Sequence, residues 1–327
     1  MISFEGMAQY ETEKQATVPL EYFYIKRDRS SINAILSKFT VGLSTGPGMS
    51  FFKHSLEGFG IQQNPGAPPL IFSTGGYPQY SNWFNTSTRD TLEVTPSSFR
   101  VSSDTAKLGF KGKGFNIPLK ATIHFEWQRY RIGGGYSYEF MTVGNFRPTN
   151  YKDQVSEFSP DAPGGFMKKY FGLFGVSVYR YQNYLLVIDG QIGGFKPSKA
   201  FNLGQIQKGV YYNLGATVEK DLSEYLKVFV RPSYDIKSFT LAIPETGQTI
   251  KHRFHALYVN LGVTYRLPEL KRCPIDGCRA QINHAHRNKE YRSRIHPIYK
   301  KQNPYYGENH PSLIKYKGKN KKRLNPY

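Results

Sequence analysis

The chain is nearly free of cysteine: among 327 residues only Cys273 and Cys278 carry thiols, in the run Cys-Pro-Ile-Asp-Gly-Cys. That excludes a small secreted scaffold stapled by several disulfides. Long hydrophobic runs are also missing. No window of about 18 apolar residues exists, so no transmembrane helix is encoded. Residues 1–30 lack the apolar centre of a secretory signal; Met7-Ala8-Gln9-Tyr10 instead reads like the end of such a signal running into a mature start, with the upstream part removed or replaced. No Walker loop, dinucleotide fingerprint or zincin motif is present. Tryptophan is scarce, at two residues, and acidic residues are too few to balance 44 Lys and Arg, leaving a formal charge of +20.

What the chain does have is alternation. Leu257, Val259, Leu261, Val263, Tyr265 and Leu267 are apolar or aromatic, whereas Tyr258, Asn260, Gly262, Thr264 and Arg266 between them are polar or small. Strict period two over some ten residues marks a strand with two unlike faces, and it has the length of a tilted strand crossing a membrane. Similar runs are predicted at Ile35 to Ser44, Phe115 to Trp127, Tyr130 to Phe140, Lys169 to Tyr179, Tyr184 to Phe195, Val210 to Val218 and Leu226 to Ile236. The connections between them alternate long and short, as in outer-membrane barrels with long extracellular loops and short periplasmic turns. The 25 tyrosines and 23 phenylalanines suit aromatic girdles at two interfaces. The predicted fold is all-β: an eight-stranded antiparallel transmembrane β-barrel with long extracellular loops and an extended C-terminal periplasmic tail. Three segments follow: an N-terminal arm over 1–31, the barrel over 32–267 with a long loop at 45–104, and a basic tail over 268–327.

The polar faces of these strands collect Glu126, Glu139, Asp189, Glu219 and Asp235 together with Lys120, Arg131, Lys227, Arg231 and Arg266. An eight-stranded barrel is just wide enough for side chains to fill it, and buried charges there have to be paired. The balance of five acids against five bases predicts a plugged, salt-bridged lumen. His124, Glu126 and Ser137 share that lumen, which keeps a lipid-modifying barrel enzyme as one alternative and a narrow channel as another; neither comes with an arrangement of nucleophile, base and orienting group, so no catalytic residue is assigned.

The run Val-Asn-Leu-Gly-Val-Thr-Tyr-Arg-Leu at 259–267 resembles the signal by which barrel-assembly machinery recognises its clients, with Gly262, Tyr265 and Leu267 at the small, aromatic and terminal apolar positions. It departs from that signal in being followed by about sixty residues. Over residues 35–267 the chain resembles the eight-stranded outer-membrane barrels of Gram-negative bacteria, similar to the OmpA transmembrane domain, and its aromatic, Gly-rich style resembles those of Bacteroidota. Small barrels there include PorT-like components of type IX secretion and gliding. The resemblance thus implies an outer-membrane anchor or assembly subunit.

The tail holds fifteen Lys and Arg against four acids, so +11 of the +20 lies beyond Pro268. Nucleic acid is not the expected partner, because the barrel pattern predicts membrane residence. The tail is too polar to fold alone. Its Arg-Ser-Arg-Ile-His-Pro-Ile-Tyr and Tyr-Gly-Glu-Asn-His-Pro runs read as docking motifs for a periplasmic protein or the anionic cell wall, with Arg292, Arg294, His296, Tyr299, Tyr306, His310 and Lys315 as contacts. Outer-membrane lipid is the other expected partner. No cofactor is required by the pattern. Cys273 and Cys278, followed by His284 and His286, fit a disulfide loop, a zinc site or a pair of free thiols, although the spacing matches no standard finger.

Overall fold

A computed structural model describes residues 35–294 except 75–77, 92–93, 182, 199–200, 224, 281–283 and 287–288. The N-terminal arm, Met7 to Tyr10, and the tail beyond Arg294 lie outside the described residues. In chain order the strands begin with β1 (Phe39–Thr45), β2 (Gly48–Ser55), β3 (Phe59–Gln63), β4 (Leu70–Ser73), β5 (Gln79–Trp83), β6 (Ser87–Asp90) and β7 (Phe99–Ser102). Next come β8 (Gly109–Trp127), β9 (Tyr130–Thr142), β10 (Arg147–Pro148), β11 (Gly164–Tyr181), β12 (Tyr184–Pro197) and β13 (Ile206–Lys208). They end with β14 (Tyr211–Asp221), β15 (Leu226–Ile236), β16 (Ser238–Ala242), β17 (Thr249–Arg266), β18 (His284–His286) and β19 (Lys289–Tyr291).

The architecture is all-β and antiparallel. Each long strand pairs with the next in sequence through β8, β9, β11, β12, β14, β15 and β17, and β17 then pairs back with β1, opposing Thr40 to Arg266 and Leu43 to Val263. β1 also pairs with β8, so the pairings run in a cycle. Alternation sets the two faces. Val41, Leu43, Leu119, Ile123, Leu257 and Leu261 point outward and are exposed, while Thr40, Ser44, Lys120, His124, Asn260 and Thr264 point inward and are buried.

Several strands run further than their alternation predicts. The chain was expected to enter a loop at Thr45, but β2 continues β1 in the same register: Thr45 opposes Leu119 and Gly48 opposes Asn116. The ladder continues past Gly46 and Pro47, for Val259 N donates to Pro47 O at 3.0 Å. Glycine is required there, since a Cβ on Gly46 would lie 2.0 Å from Val259 O. β8 likewise begins at Gly109 instead of Phe115, β11 at Gly164 instead of Lys169, and β17 at Thr249 instead of Leu257. In each case the added residues place bases such as Lys111, Lys168 and Arg253 on the outward face, which breaks the apolar-out pattern while leaving the pairing intact.

The connections at one end are tight: residues 128–129, 182–183 and 222–225, with Gln128 in the left-handed region at φ 53°. Those at the other end are longer, at 56–108, 143–163, 198–210 and 243–248. The last is shorter than expected because β16 and β17 extend as a hairpin, Ser238 opposing Arg253 and Ala242 opposing Thr249. The long connection expected at 45–104, with short strands read only near Thr91 to Val101, folds into a five-stranded sheet, β6-β5-β4-β3-β7. This cap hydrogen-bonds the other three long connections: Asn82 Nδ2 to Asp161 Oδ2 at 2.7 Å, Thr86 Oγ1 to Gln205 Oε1 at 3.1 Å and Ser73 Oγ to Gln248 Oε1 at 2.8 Å. Its apolar residues pack with inward-facing wall residues. Trp83 stacks on Phe158 with centroids 3.9 Å apart, and Phe84 meets Phe52 edge-on.

Closure of the cycle is checked by cross-linking. In a chain with its native cysteines replaced by serine, Leu43→Cys with Val263→Cys is expected to oxidise to an intramolecular disulfide, because directly opposed antiparallel residues lie within bridging distance. Leu43→Cys with Leu214→Cys, on non-adjacent strands, is expected to keep both thiols.

Candidate functional site

The inward face is organised in layers. Nearest the cap it is aromatic: Phe52, Phe195, Phe239 and Phe254 with His54 and His252, where Trp83 Nε1 donates to His54 Nε2 at 3.1 Å. Below lies a lysine and carboxylate layer. Lys169 Nζ bridges Glu139 and Asp235, 2.7 Å from Asp235 Oδ2, and Lys237 Nζ lies 3.1 Å from the same oxygen. Tyr258 Oη donates to Glu139 Oε1 at 2.8 Å, and Asn116 Nδ2 donates to it at 2.6 Å. Both lysines and both acids are fully inaccessible to solvent. Four charges this deep cost several kcal/mol each to desolvate, so the layer holds only because every carboxylate meets an ammonium and further donors.

The next layer is an arginine clamp. Arg231 Nε donates to Asp189 Oδ1 at 2.8 Å, and Thr217 Oγ1 donates to Asp189 Oδ2 at 2.7 Å. Towards the tight turns, Arg131 pairs with both Glu219 and Glu126, its Nη2 lying 2.7 Å from Glu219 Oε2 and 2.8 Å from Glu126 Oε1. Lys227 Nζ joins at 3.5 Å from Glu219. Lys120 Nζ sits 5.4 Å from the Tyr258 ring centre, a cation over an aromatic face. Between the layers the free space is about 50 Å³. A separate cavity of about 450 Å³ at the tight-turn end is lined by Glu126, Arg129, Arg131, Arg180 and Lys227.

Nine of the ten residues expected in a charged lumen are thus brought together on the inward face. Arg266 keeps the same inward parity, opposite Thr40, but stands apart from the layers at the tight-turn rim, where its Nε donates to the Ser37 carbonyl. Two lysines were missed. Lys169 stood at the edge of the expected strand with no face assigned, and Lys237 was read as loop because β15 ends at Ile236. In fact β15 and β16 share one register, Asp235 opposing Ala256 and Ser238 opposing Arg253, so Lys237 is an inward position of a continuing wall strand. The spacing Asp235-x-Lys237 in the sequence carries that signal. His124 lies 3.4 Å from Glu126, but Ser137 is level with Lys120 whereas His124 is level with Gly133, so Ser137 stands two inward positions away from the imidazole.

The outward face has its own charge pattern. Arg253 opposes Lys53, Lys53 opposes Lys111, and Lys111 opposes Arg147, giving one base on each of four adjacent strands at the cap end of the apolar surface. Arg147 is in addition paired with Glu157 at 2.8 Å. Like charges directly opposite repel, and the Glu157 carboxylate offsets this at the Arg147 end of the row.

After β17 the chain forms a small knuckle. Cys273, Cys278, His284 and His286 present ligand atoms that all lie within 4.8 Å of one another, with Cys278 Sγ 3.2 Å from His284 Nε2. Both cysteines are free thiols. Of the expected docking residues, Arg292 and Arg294 belong to this knuckle, Arg294 pairing with Asp276; His296, Tyr299, Tyr306, His310 and Lys315 lie outside the described residues.

No protein-family model matches the chain, and no curated protein matches it. Among solved structures it is similar to the outer-membrane protease OmpT of Escherichia coli, at 10% identity and a TM-score of 0.33 over 69% of this chain and 96% of that one. It is also similar to the translocator domain of the autotransporter NalP from Neisseria meningitidis, at 14% identity and a TM-score of 0.21 over 79% and 98%. A third is the β-domain of the Bordetella autotransporter BrkA, at 9% identity and a TM-score of 0.23 over 68% and 99%.

Removing the central ammonium tests the network. Lys169→Met is expected to lower stability by about 3–5 kcal/mol, because it leaves buried carboxylates short of a counter-charge. Lys169→Met with Asp235→Leu is expected to recover a large part of that loss. Urea titration of the folded protein in detergent reads both.

Proposed function

We propose that this protein is an eight-stranded outer-membrane β-barrel that acts as a capped membrane anchor, with its basic tail docking a partner in the periplasm. Counting β1 with β2 and β15 with β16 as single wall strands, the cycle of pairings has eight members. What carries the proposal is the inverted polarity of that cycle: the apolar residues face out and are exposed, and the charges face in and are buried. Water favours the opposite arrangement and hydrocarbon favours this one. Supporting it, aromatic residues crowd both ends of the apolar surface, Trp127, Tyr130, Tyr179 and Tyr181 by the tight turns and Phe51, Phe115, Phe140 and Phe166 towards the cap. With 19 residues, β8 is about twice as long as a membrane crossing needs, so its cap end projects beyond the apolar surface.

A capped mouth and a void of only about 50 Å³ among the lumen charges favour an anchor over a channel. The separation of Ser137 from His124 favours an anchor over a hydrolytic enzyme. β17 ends at the tight-turn side, the periplasmic side of an outer-membrane barrel, so the tail following Leu267 leaves from there. Its +11 charge suits an acidic protein surface or the cell wall. Whether the assembly is one of type IX secretion or gliding is decided by the identity of what it holds.

Fractionation, conductance, mutation and pull-down test this. The protein is expected in the outer-membrane fraction, with a folded band that shifts on heating in detergent gels, and to give no steady conductance in planar bilayers; a steady conductance would restore the channel. Leu261→Arg on the outward face is expected to cost about 2–4 kcal/mol at mid-membrane and to lower the folded fraction, whereas Lys53→Glu at the cap end is expected to fold normally. Pull-down of the full chain beside one ending at Leu267 is expected to show envelope proteins held by the full chain alone; equal recovery from both forms overturns tail docking.

A further inference from the structure

The described residues between Arg272 and Arg294 are folded without anything resembling a core. Among the described residues of this stretch only Cys273 and Ser293 are buried. Units below about 40 residues generally need a disulfide, a metal or a partner subunit to hold them. The stretch is nevertheless closed on itself. Arg272 and Arg292 form a parallel bridge, Cys273 N donates to Arg292 O at 3.1 Å, and Arg292 N donates to Lys271 O at 2.9 Å. Ser293 Oγ donates to Ala280 O at 2.7 Å. The β18–β19 hairpin places His284 and His286, two residues apart, on one face.

We propose that Cys273, Cys278, His284 and His286 bind one zinc ion, a closed structural site that holds this knuckle together. The donor set is the borderline-soft one that zinc selects, two thiolates and two imidazoles. Around a tetrahedral zinc, with sulfur at about 2.3 Å and nitrogen at about 2.0 Å, neighbouring ligand atoms stand about 3.3–3.8 Å apart. The four atoms here already lie within 4.8 Å of one another, and the Cys278–His284 pair is at 3.2 Å, so small side-chain rotations complete the coordination. His286 Nε2 is buried without a hydrogen-bond partner, as expected of a nitrogen whose lone pair is meant for a metal. A disulfide accounts for the two sulfurs but gives no reason for two imidazoles to converge on them. With all four positions taken by protein there is no place for a reactive water, so the ion is structural and not catalytic. Its effect is to turn the first part of the tail into a rigid foot that fixes Arg292 and Arg294, whatever the membrane role of the sheet above it.

The experiment is metal analysis of the full-length protein, purified in detergent without chelator. About one zinc per chain is expected, and cobalt exchanged into the site is expected to show the thiolate-to-metal charge-transfer absorption of cysteine ligands. Cys273→Ser with Cys278→Ser, and separately His284→Ala with His286→Ala, are expected to abolish both signals. The heat-shifted band of the folded sheet is expected to persist, since none of the four residues lies on a wall strand. Zinc content no higher than in the Cys273→Ser, Cys278→Ser variant overturns the site. So does an intact mass showing that both thiol hydrogens are lost, which marks a Cys273–Cys278 disulfide.

Discussion

The seam between β17 and the first strand leaves neither of them with a free edge, and the remaining architecture follows from that pairing. An open sheet of these strands would present a row of unbonded amides and carbonyls at each side, a liability in water and far more costly in hydrocarbon. Joined, the strands turn their alternation into an inside and an outside. The glycine at 46 allows the seam to run through: there the backbones approach so closely that any side chain would strike Val259 O. The seam is thus held by ladder bonds along β1 and β2 and by the absence of one methyl group between them.

Once an inside exists, its content is constrained. Charges there have little water to screen them, and the structure answers with three paired layers in place of scattered polar residues. Lys169 is central because it satisfies one carboxylate from β9 and one from β15, joining opposite parts of the wall. The aromatic layer above does the same with dispersion, linking the cap to β2, β12 and β17 through rings such as Phe52, Phe195 and Phe254. The wall therefore resists both collapse and flattening from within, and the cap is packed into the mouth as part of the same core.

Much of this was legible in the chain, because period two survives wherever the two faces of a strand meet unlike surroundings. The run 257–267 shows both faces directly, and nine lumen charges could be read from parity alone. The reading stopped where the outward medium changes. Above the apolar surface, Lys53, Lys111 and Arg253 take outward positions, and a strand with charges on both faces no longer looks like one. Lys169 and Lys237 were lost for the same reason, each lying where alternation gives way to bases. The cap was illegible for another reason. Its strands are four or five residues long and are set by contacts with three distant loops, as between Ser73 and Gln248, which no local pattern encodes. The knuckle lay between: the four ligand residues were visible in the sequence, but their convergence was not.

The position of the cap within the chain carries a consequence for assembly. It is encoded between β2 and β8, whereas the seam joins residues more than two hundred positions apart, Thr40 to Arg266. Contacts between such remote positions close slowly, because the loop entropy must be overcome before any bond repays it. The cap sheet, with contacts local to residues 59–102, has the shorter path to its fold. Its rings occupy the mouth that the last strand encloses, so a cap delayed until after closure would have to enter a ring already complete. Locality of contacts thus favours a stopper that packs early, with the vessel drawn shut around it.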